Sequence, residues 1–264
     1  MAIDKRAIVD PSSDIHPDAE IGPGAIIEGG VVIRKGVKVM AYAHISKGTE
    51  IGENTVIHMG AVIGHDPQDL SYEGQETFTK IGKNTVIREY VTIHRAVGEG
   101  KATIVGDNNL IMVQCHLGHN CVTGDNVIMA NSALLAGHVE VGRNTFISGN
   151  VVFHQFCRIG EFVMVGGFTG VNKDIPPYMI VRGPSAVRGV NLVGLRRGGF
   201  SRDAIRDIRE AYSIFFKSGL NTKDAIAKIK ETLNSEVSSE FVRFIENSKR
   251  GICKYKYDKD EYFE

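Results

Sequence analysis

An apolar residue recurs at every sixth position through most of the first 171 residues. From Ile3 the series runs Val9, Ile15, Ile21, Ile27, Ile33, Val39, Ile45, Ile51, Ile57 and Ile63. It resumes in the same phase at Ile81, Ile87, Ile93, Val105, Ile111 and Leu117, then at Met129, Leu135, Val141, Ile147, Phe153, Ile159, Val165 and Val171. Neither the helical period of about 3.6 nor the strand period of about two produces this series. A short fixed period describes a solenoid, whose units bury their apolar residue only by stacking on neighbours. Gly follows the apolar residue at Gly22, Gly52, Gly82, Gly106, Gly142 and Gly160, where a tight corner needs a residue without a Cβ.

Hexapeptides of this kind wind into a left-handed parallel β-helix. Three of them make one triangular coil, so residues about eighteen apart stack, with about 4.8 Å of rise per coil. The phase breaks at Asp69, Gln75, Glu99 and Thr123. Thr123 reads as a tolerated core substitution. The others mark two polar, turn-rich excursions at about 64–80 and 95–104, and loops thrown from a rigid scaffold commonly carry function. The rhythm stops at Asp174-Ile175-Pro176-Pro177-Tyr178. Beyond a Gly-rich connector, Ser201 caps a helix that Gly219 ends, Asn221 or Thr222 opens a second, and a third covers 238–249. The expected fold is therefore mainly β: residues 1–190 form the solenoid and 191–264 a C-terminal α-helical domain covering its open end. The charged segment Lys254 to Glu264 is expected to fray.

The 31 basic residues balance the 31 acidic ones, which argues against a dedicated nucleic-acid binder. Cys115, Cys121, Cys157 and Cys253 show no CxxC or disulfide-framework spacing, and read as free thiols in a reducing compartment. The N-terminus lacks the apolar run of a signal peptide, and no apolar stretch is long enough to span a bilayer. A cytoplasmic protein without membrane insertion is expected.

Eighteen residues beyond His119 is Gly137, and eighteen further is Gln155; His138 and His154 lie one residue from that column. Three readings are open. The histidines read as scattered surface residues, as a zinc site between subunits similar to that of the γ-class carbonic anhydrases, or as a general base with substrate-binding neighbours. Gly137 favours the last, because a backbone N–H one coil from His119 supplies the oxyanion donor that acyl transfer needs. His94, twenty-five residues before His119, is expected on a different face, so that a neighbouring subunit brings it to the site.

Val91-Thr92-Ile93-His94-Arg95, Leu135-Ala136-Gly137-His138-Val139, His154-Gln155-Phe156-Cys157 and Pro176-Pro177-Tyr178 resemble the UDP-N-acetylglucosamine O-acyltransferases that begin lipid A synthesis. So do Pro67-Gln68-Asp69-Leu70 and the run Asn191 to Phe200. The resemblance implies that His119 takes the proton from the sugar 3-hydroxyl, whose oxygen attacks the thioester of a 3-hydroxyacyl chain on acyl carrier protein. It implies Gly137 as oxyanion donor, Asn120 as the residue orienting His119, and direct attack with neither cofactor nor metal. Gln68, Asp69, His94, His116 and His138 would line the sugar and acyl site, and His154 and Gln155 would meet the sugar nucleotide. Asn191 and Arg197 would hold the nucleotide and diphosphate, and Gly167 would set acyl length. The resemblance further implies a homotrimer whose partners are the acyl carrier protein and UDP-N-acetylglucosamine.

Three positions depart from the family: Asn120 stands in place of Asp, Ser71 in place of Lys, and Val193 in place of Glu. These leave the acceptor open between a hydroxyl and a 3-amino analogue. The related N-acyltransferase carries an added N-terminal domain, whereas the repeat here begins at Ile3. An acetyl-CoA-dependent sugar acetyltransferase fits the tail and loop motifs less well. A zinc-dependent hydratase and a non-catalytic scaffold are the rivals from other classes. The basic cluster Arg182, Arg188, Arg196, Arg197, Arg202, Arg206 and Arg209 reads either as an ordinary helical surface or as a docking site for the acidic carrier.

Overall fold

In the computed structural model, which describes residues 2–256, nearly every hexapeptide supplies one short strand and one turn. The strands form three sheets, parallel except where Ala186–Val190 runs antiparallel to Met179–Val181; they are here called the first, second and third faces, begin at Ala2–Ile3, Ile8–Val9 and Asp14–Ile15 and are visited in that order. Register confirms the coil length: Glu20 pairs with Lys38, Ile26 with His44 and Asp14 with Val32. This is the left-handed parallel β-helix expected from the repeat. The six-residue series points inward, and from Ile21 onward the series residues are buried along the axis. Each such side chain contributes about 1.5–3 kcal/mol relative to exposure.

Corners explain the rest of the composition. Asn54, Asn84, Asn108, Asn126 and Asn144 hold φ of 53–57°, a left-handed conformation that Asn tolerates better than other side chains. The Gly after each apolar residue answers a different need. A Cβ on Gly52 would lie 2.6 Å from the carbonyl carbon of Gly82 one coil on, so close approach excludes it. Thr123 is indeed a core position, and its hydroxyl accepts from Asn109 Nδ2 at 2.9 Å inside the prism.

Both excursions leave from the corner between the second and third faces. Val56 pairs with Val86 instead of residue 74, so the first inserts twelve residues, and Val86 pairs with Leu110, so the second inserts six. The second insertion corrects the expectation for His94. Thr92 pairs with His116, so the step from His94 to His119 is one coil plus one residue, and both histidines share a corner. The twenty-five-residue spacing misled because six of those residues lie in the excursion.

The tail forms four helices: α1 (Leu192–Arg197), α2 (Arg202–Lys217), α3 (Thr222–Thr232) and α4 (Glu236–Glu246). Asn191, Ser201, Asn221 and Ser235 cap them through side-chain oxygens. The short α1 was hidden in the Gly-rich connector, and α4 starts and stops a little before the expected 238–249. Leu195, Ile208, Ile229 and Phe241 join the solenoid's core, and the Arg158 guanidinium lies 4.7 Å over the Phe244 ring. Lys254 and Tyr255 do not fray: they pair with Ala186 and Val187 beside buried Cys253. The remainder of that expectation lies outside the described residues. No described helix is long and apolar enough to cross a membrane.

Candidate active site

His119 sits in the turn after the strand His116–Leu117, at the corner both excursions leave, and is buried. Its Nδ1 lies 2.9 Å from Asn120 Oδ1, and its Nε2 lies 3.3 Å from Asp69 Oδ2. The Asn120 amide cannot flip. Its Nδ2 donates to the Val97 carbonyl at 3.1 Å, while its Oδ1 accepts the Val97 N–H at 2.9 Å. Its backbone N–H donates to Thr103 Oγ1 at 2.8 Å. An acceptor therefore faces Nδ1; with the hydrogen there, Nε2 is the basic nitrogen, and Asp69 Oδ2 beside it is placed to hold the imidazolium once a proton arrives. That is the tautomer of a base acting through Nε2.

Asp69 comes from the first excursion. The Ser71 N–H and hydroxyl both donate to its Oδ1, at 2.8 and 2.7 Å, which aims Oδ2 at His119. These bonds hold its carboxyl below the usual range, with His119 and His138 adding to the effect. Asn120 has no charge to offset an imidazolium, and Asp69 supplies one from the other side of the ring.

Gly137 stacks directly on the ring. A Cβ there would overlap the imidazole, lying 2.6 Å from Cε1 and 3.0 Å from Cδ2. His138 follows with φ of 60°, its N–H donating to the His119 carbonyl at 2.9 Å and its ring edge-on to His119 at 5.1 Å. Phe156 stacks on the far side of His138 at 4.6 Å. Below His119, His116 Nδ1 lies 2.7 Å from Thr92 Oγ1, and the His116 ring is edge-on to His94 at 5.1 Å. Burial lowers the pKa of all three neighbours, and like charge from His119 adds to the effect on His116 and His138. His94 falls to about 4, through burial first and then His116, His65 and His119, against an opposing pull from Asp66. His94 therefore stays neutral at pH 7 near His119.

One chain thus gathers Asp69, His94, His116, His119, Asn120, Gly137 and His138. Gln68 is exposed next to Asp69, and His154 and Gln155 are exposed one coil above Gly137. The remaining expected residues lie elsewhere. Gly167 is at the corner between the first and second faces, where a Cβ would sit 3.4 Å from the Gly149 carbonyl. Asn191 caps α1 and donates to the Phe162 carbonyl at 2.8 Å, at the corner between the third and first faces, and Arg197 ends the same helix. Val97 and Thr103 were missed, and Ser71 was noted only as a departure from the family, not as the partner of Asp69. Only Ser71 left a signal, since Asp-x-Ser spacing marks a side-chain-to-backbone turn. Burial pushes the Cys115 and Cys121 thiols up to about 11 and 12, so neither is a nucleophile. Among the described residues, no three His, Cys, Asp or Glu side chains are grouped to hold a metal.

The left-handed β-helix of hexapeptide repeats, with its histidines gathered at one corner, is the architecture of the hexapeptide transferases, and the sequence carries their signature. Residues 30–65 match the model for bacterial transferase hexapeptides (six repeats), and residues 174–253 match UDP N-acetylglucosamine O-acyltransferase, domain 2. The UDP-N-acetylglucosamine acyltransferase of Bacteroides fragilis 9343 is 44% identical, over 95% of this chain and 99% of that one, with a TM-score of 0.91. The UDP-N-acetylglucosamine O-acyltransferase of Moraxella catarrhalis RH4 is 38% identical, over 96% and 100%, with a TM-score of 0.93. A protein of Halorhodospira halophila (strain DSM 244 / SL1), named acyl-[acyl-carrier-protein]–UDP-N-acetylglucosamine O-acyltransferase, is 41% identical over 170 residues, 63% of this chain. That match spans 66% of the relative's own length. The chain belongs to the UDP-N-acetylglucosamine O-acyltransferase family.

Proposed function

We propose that this chain transfers a 3-hydroxyacyl group from acyl carrier protein to the 3-position of the glucosamine ring of UDP-N-acetylglucosamine, the first step of lipid A biosynthesis. The observation that carries the mechanism is the pinned Asn120 amide, whose oxygen faces His119 Nδ1 and so leaves Nε2, beneath Gly137 and 3.3 Å from Asp69 Oδ2, as the basic nitrogen. Nε2 takes the proton of the 3-hydroxyl as its oxygen attacks the thioester carbonyl. The Gly137 N–H receives the oxyanion. Collapse breaks the C–S bond, and the departing thiolate recovers the proton from the imidazolium. Asp69 stabilises that imidazolium while it lasts, and no acyl-enzyme is needed.

The working unit is a homotrimer. Outward residues of the first face from the fourth coil onward are apolar (Val56, Val86, Leu110, Ile128, Phe146, Met164), and the second face offers Ile26, Val62, Leu134 and Val152. The third face is laced with ion pairs such as Arg34–Glu50 and Arg158–Glu140. Packing one copy's second face on a neighbour's first face leaves both third faces in water. It also sets the His119 corner beside the neighbour's Asn191 and Arg197, which would hold the nucleotide and diphosphate. This replaces His94 as the reason for a site between subunits.

The test is product formation by the purified chain from 3-hydroxyacyl carrier protein with UDP-N-acetylglucosamine or its 3-amino analogue. Ester formation supports the reading, amide formation alone moves the acceptor to the amino sugar, and no transfer to either sinks it.

A further inference from the structure

Arg95 stands outside the chemistry described above, yet its residue is only 3% exposed, and a buried guanidinium must be satisfied. Its Nε donates to the Gly64 carbonyl at 2.7 Å and its Nη2 to the Lys47 carbonyl at 2.8 Å, while its backbone N–H donates to His65 O at 3.0 Å. Asp66 Oδ1 is 3.6 Å from Nε. All but the Lys47 contact fall on the first three residues of the excursion that delivers Asp69. The other root of that excursion is held by the residues just after Arg95. Ala96 N–H donates to Phe78 O at 3.4 Å, Gly100 N–H donates to Glu76 O at 2.9 Å, and Glu99 accepts the Glu76 N–H at 3.1 Å. Val97, in the same stretch, pins Asn120.

We propose that Arg95 is a positioning residue: it buckles the root of the first excursion to the solenoid corner and thereby sets the Asp69 carboxylate against His119 Nε2. The second excursion is then a fastener for both partners of the base, Asn120 through Val97 and Asp69 through Arg95. A Lys cannot replace it, because one ammonium lacks the planar fork that reaches Gly64 and Lys47 in two directions. The catalytic consequence rests on the acyl-transfer reading; the mechanical one does not.

The test compares the full chain with Arg95→Lys, Asp69→Asn and the double variant. Arg95→Lys should lower kcat by roughly 10- to 100-fold, as misplacement by about 1 Å does, with KM for the acyl donor changed less than about threefold. In the Asp69→Asn background the same change should lower kcat by less than about twofold, because the residue it serves is gone. Multiplying losses would overturn the proposal. If Arg95→Lys does not fold, Asp66→Asn carries the same cycle from the exposed end of the clamp. Amide exchange over residues 66–76 should quicken in Arg95→Lys while the solenoid strands stay protected. Unchanged exchange overturns the clamp even if the wild-type chain transfers no acyl group, an outcome that would sink the acyl-transfer reading separately.

Discussion

Gly137→Ala isolates the placement of the base from the supply of the oxyanion donor, because alanine keeps the N–H. Its added Cβ would lie 2.6 Å from His119 Cε1 and 3.0 Å from Cδ2, where ordinary contact needs about 3.4 Å or more. The ring must therefore move by close to 1 Å, and misplacement on that scale costs on the order of 100-fold in rate, about 2.7 kcal/mol of barrier. Folding should suffer little. Gly137 is not among the glycines with positive φ, so alanine suits its backbone and gains about 0.4–1 kcal/mol from the unfolded state, offsetting the strain at the ring. Steady-state kinetics and thermal melts should show kcat/KM down about 100-fold with Tm within a few degrees. Gly189→Ala, whose Cβ meets nothing within 4 Å, should change neither. Activity of Gly137→Ala within threefold of the parent, a margin well below that roughly 100-fold loss, would refute the stacked placement of Gly137 on His119.

Three further outcomes follow from the same corner. Asn120→Asp turns a donor into an oxygen facing the Val97 carbonyl, 3.1 Å away, and should destabilise the chain by about 1–3 kcal/mol; its charge beside Nδ1 should move the acid limb of the kcat/KM profile to higher pH, and an unmoved limb would count against the tautomer lock. Ser71→Ala removes the first cause of the low Asp69 pKa, so that carboxyl should titrate higher by NMR and kcat should fall a few-fold; an unshifted titration would mean Ser71 does not aim it. His94 has a folded pKa of about 4 against 6.5 in the unfolded chain, so the unfolded chain takes its proton first. The stability contributed by the neutral ring is present above about pH 6.5 and is lost as pH falls toward 4, amounting to on the order of 3 kcal/mol. His65, His116, His119 and Asp66 face the same space, so the readout is the difference between parent and His94→Gln in urea midpoints at pH 7 and 4.5; parallel shifts in both would discount His94.

Much of the scaffold was legible because a six-residue period leaves few alternatives. Ile21 to Val171 point inward as the series demands, and the column His119–Gly137 followed from counting eighteen. Counting failed where residues are inserted, and His94 was assigned to the wrong face for that reason alone. The partners of the base were harder to see. Asp69 and His119 are fifty residues apart, and Val97 acts through its backbone, which carries no side-chain signature. Asn120 looked from sequence like a weakened Asp. In the fold its amide is what the loop requires, since a carboxylate could not donate to Val97 O. Lys254–Tyr255 shows the opposite error, a charged tail whose backbone finds a strand edge.

The central claim is that His119 Nε2 is the base. It is tested most directly by single-turnover acyl transfer from 3-hydroxyacyl carrier protein to UDP-N-acetylglucosamine, comparing the parent with His119→Ala. The rate constant should fall by about 10²- to 10⁴-fold and lose its acid limb, with Gly189→Ala unchanged. A His119→Ala chain that keeps its rate within tenfold, with the limb intact, would place the base elsewhere on the ridge.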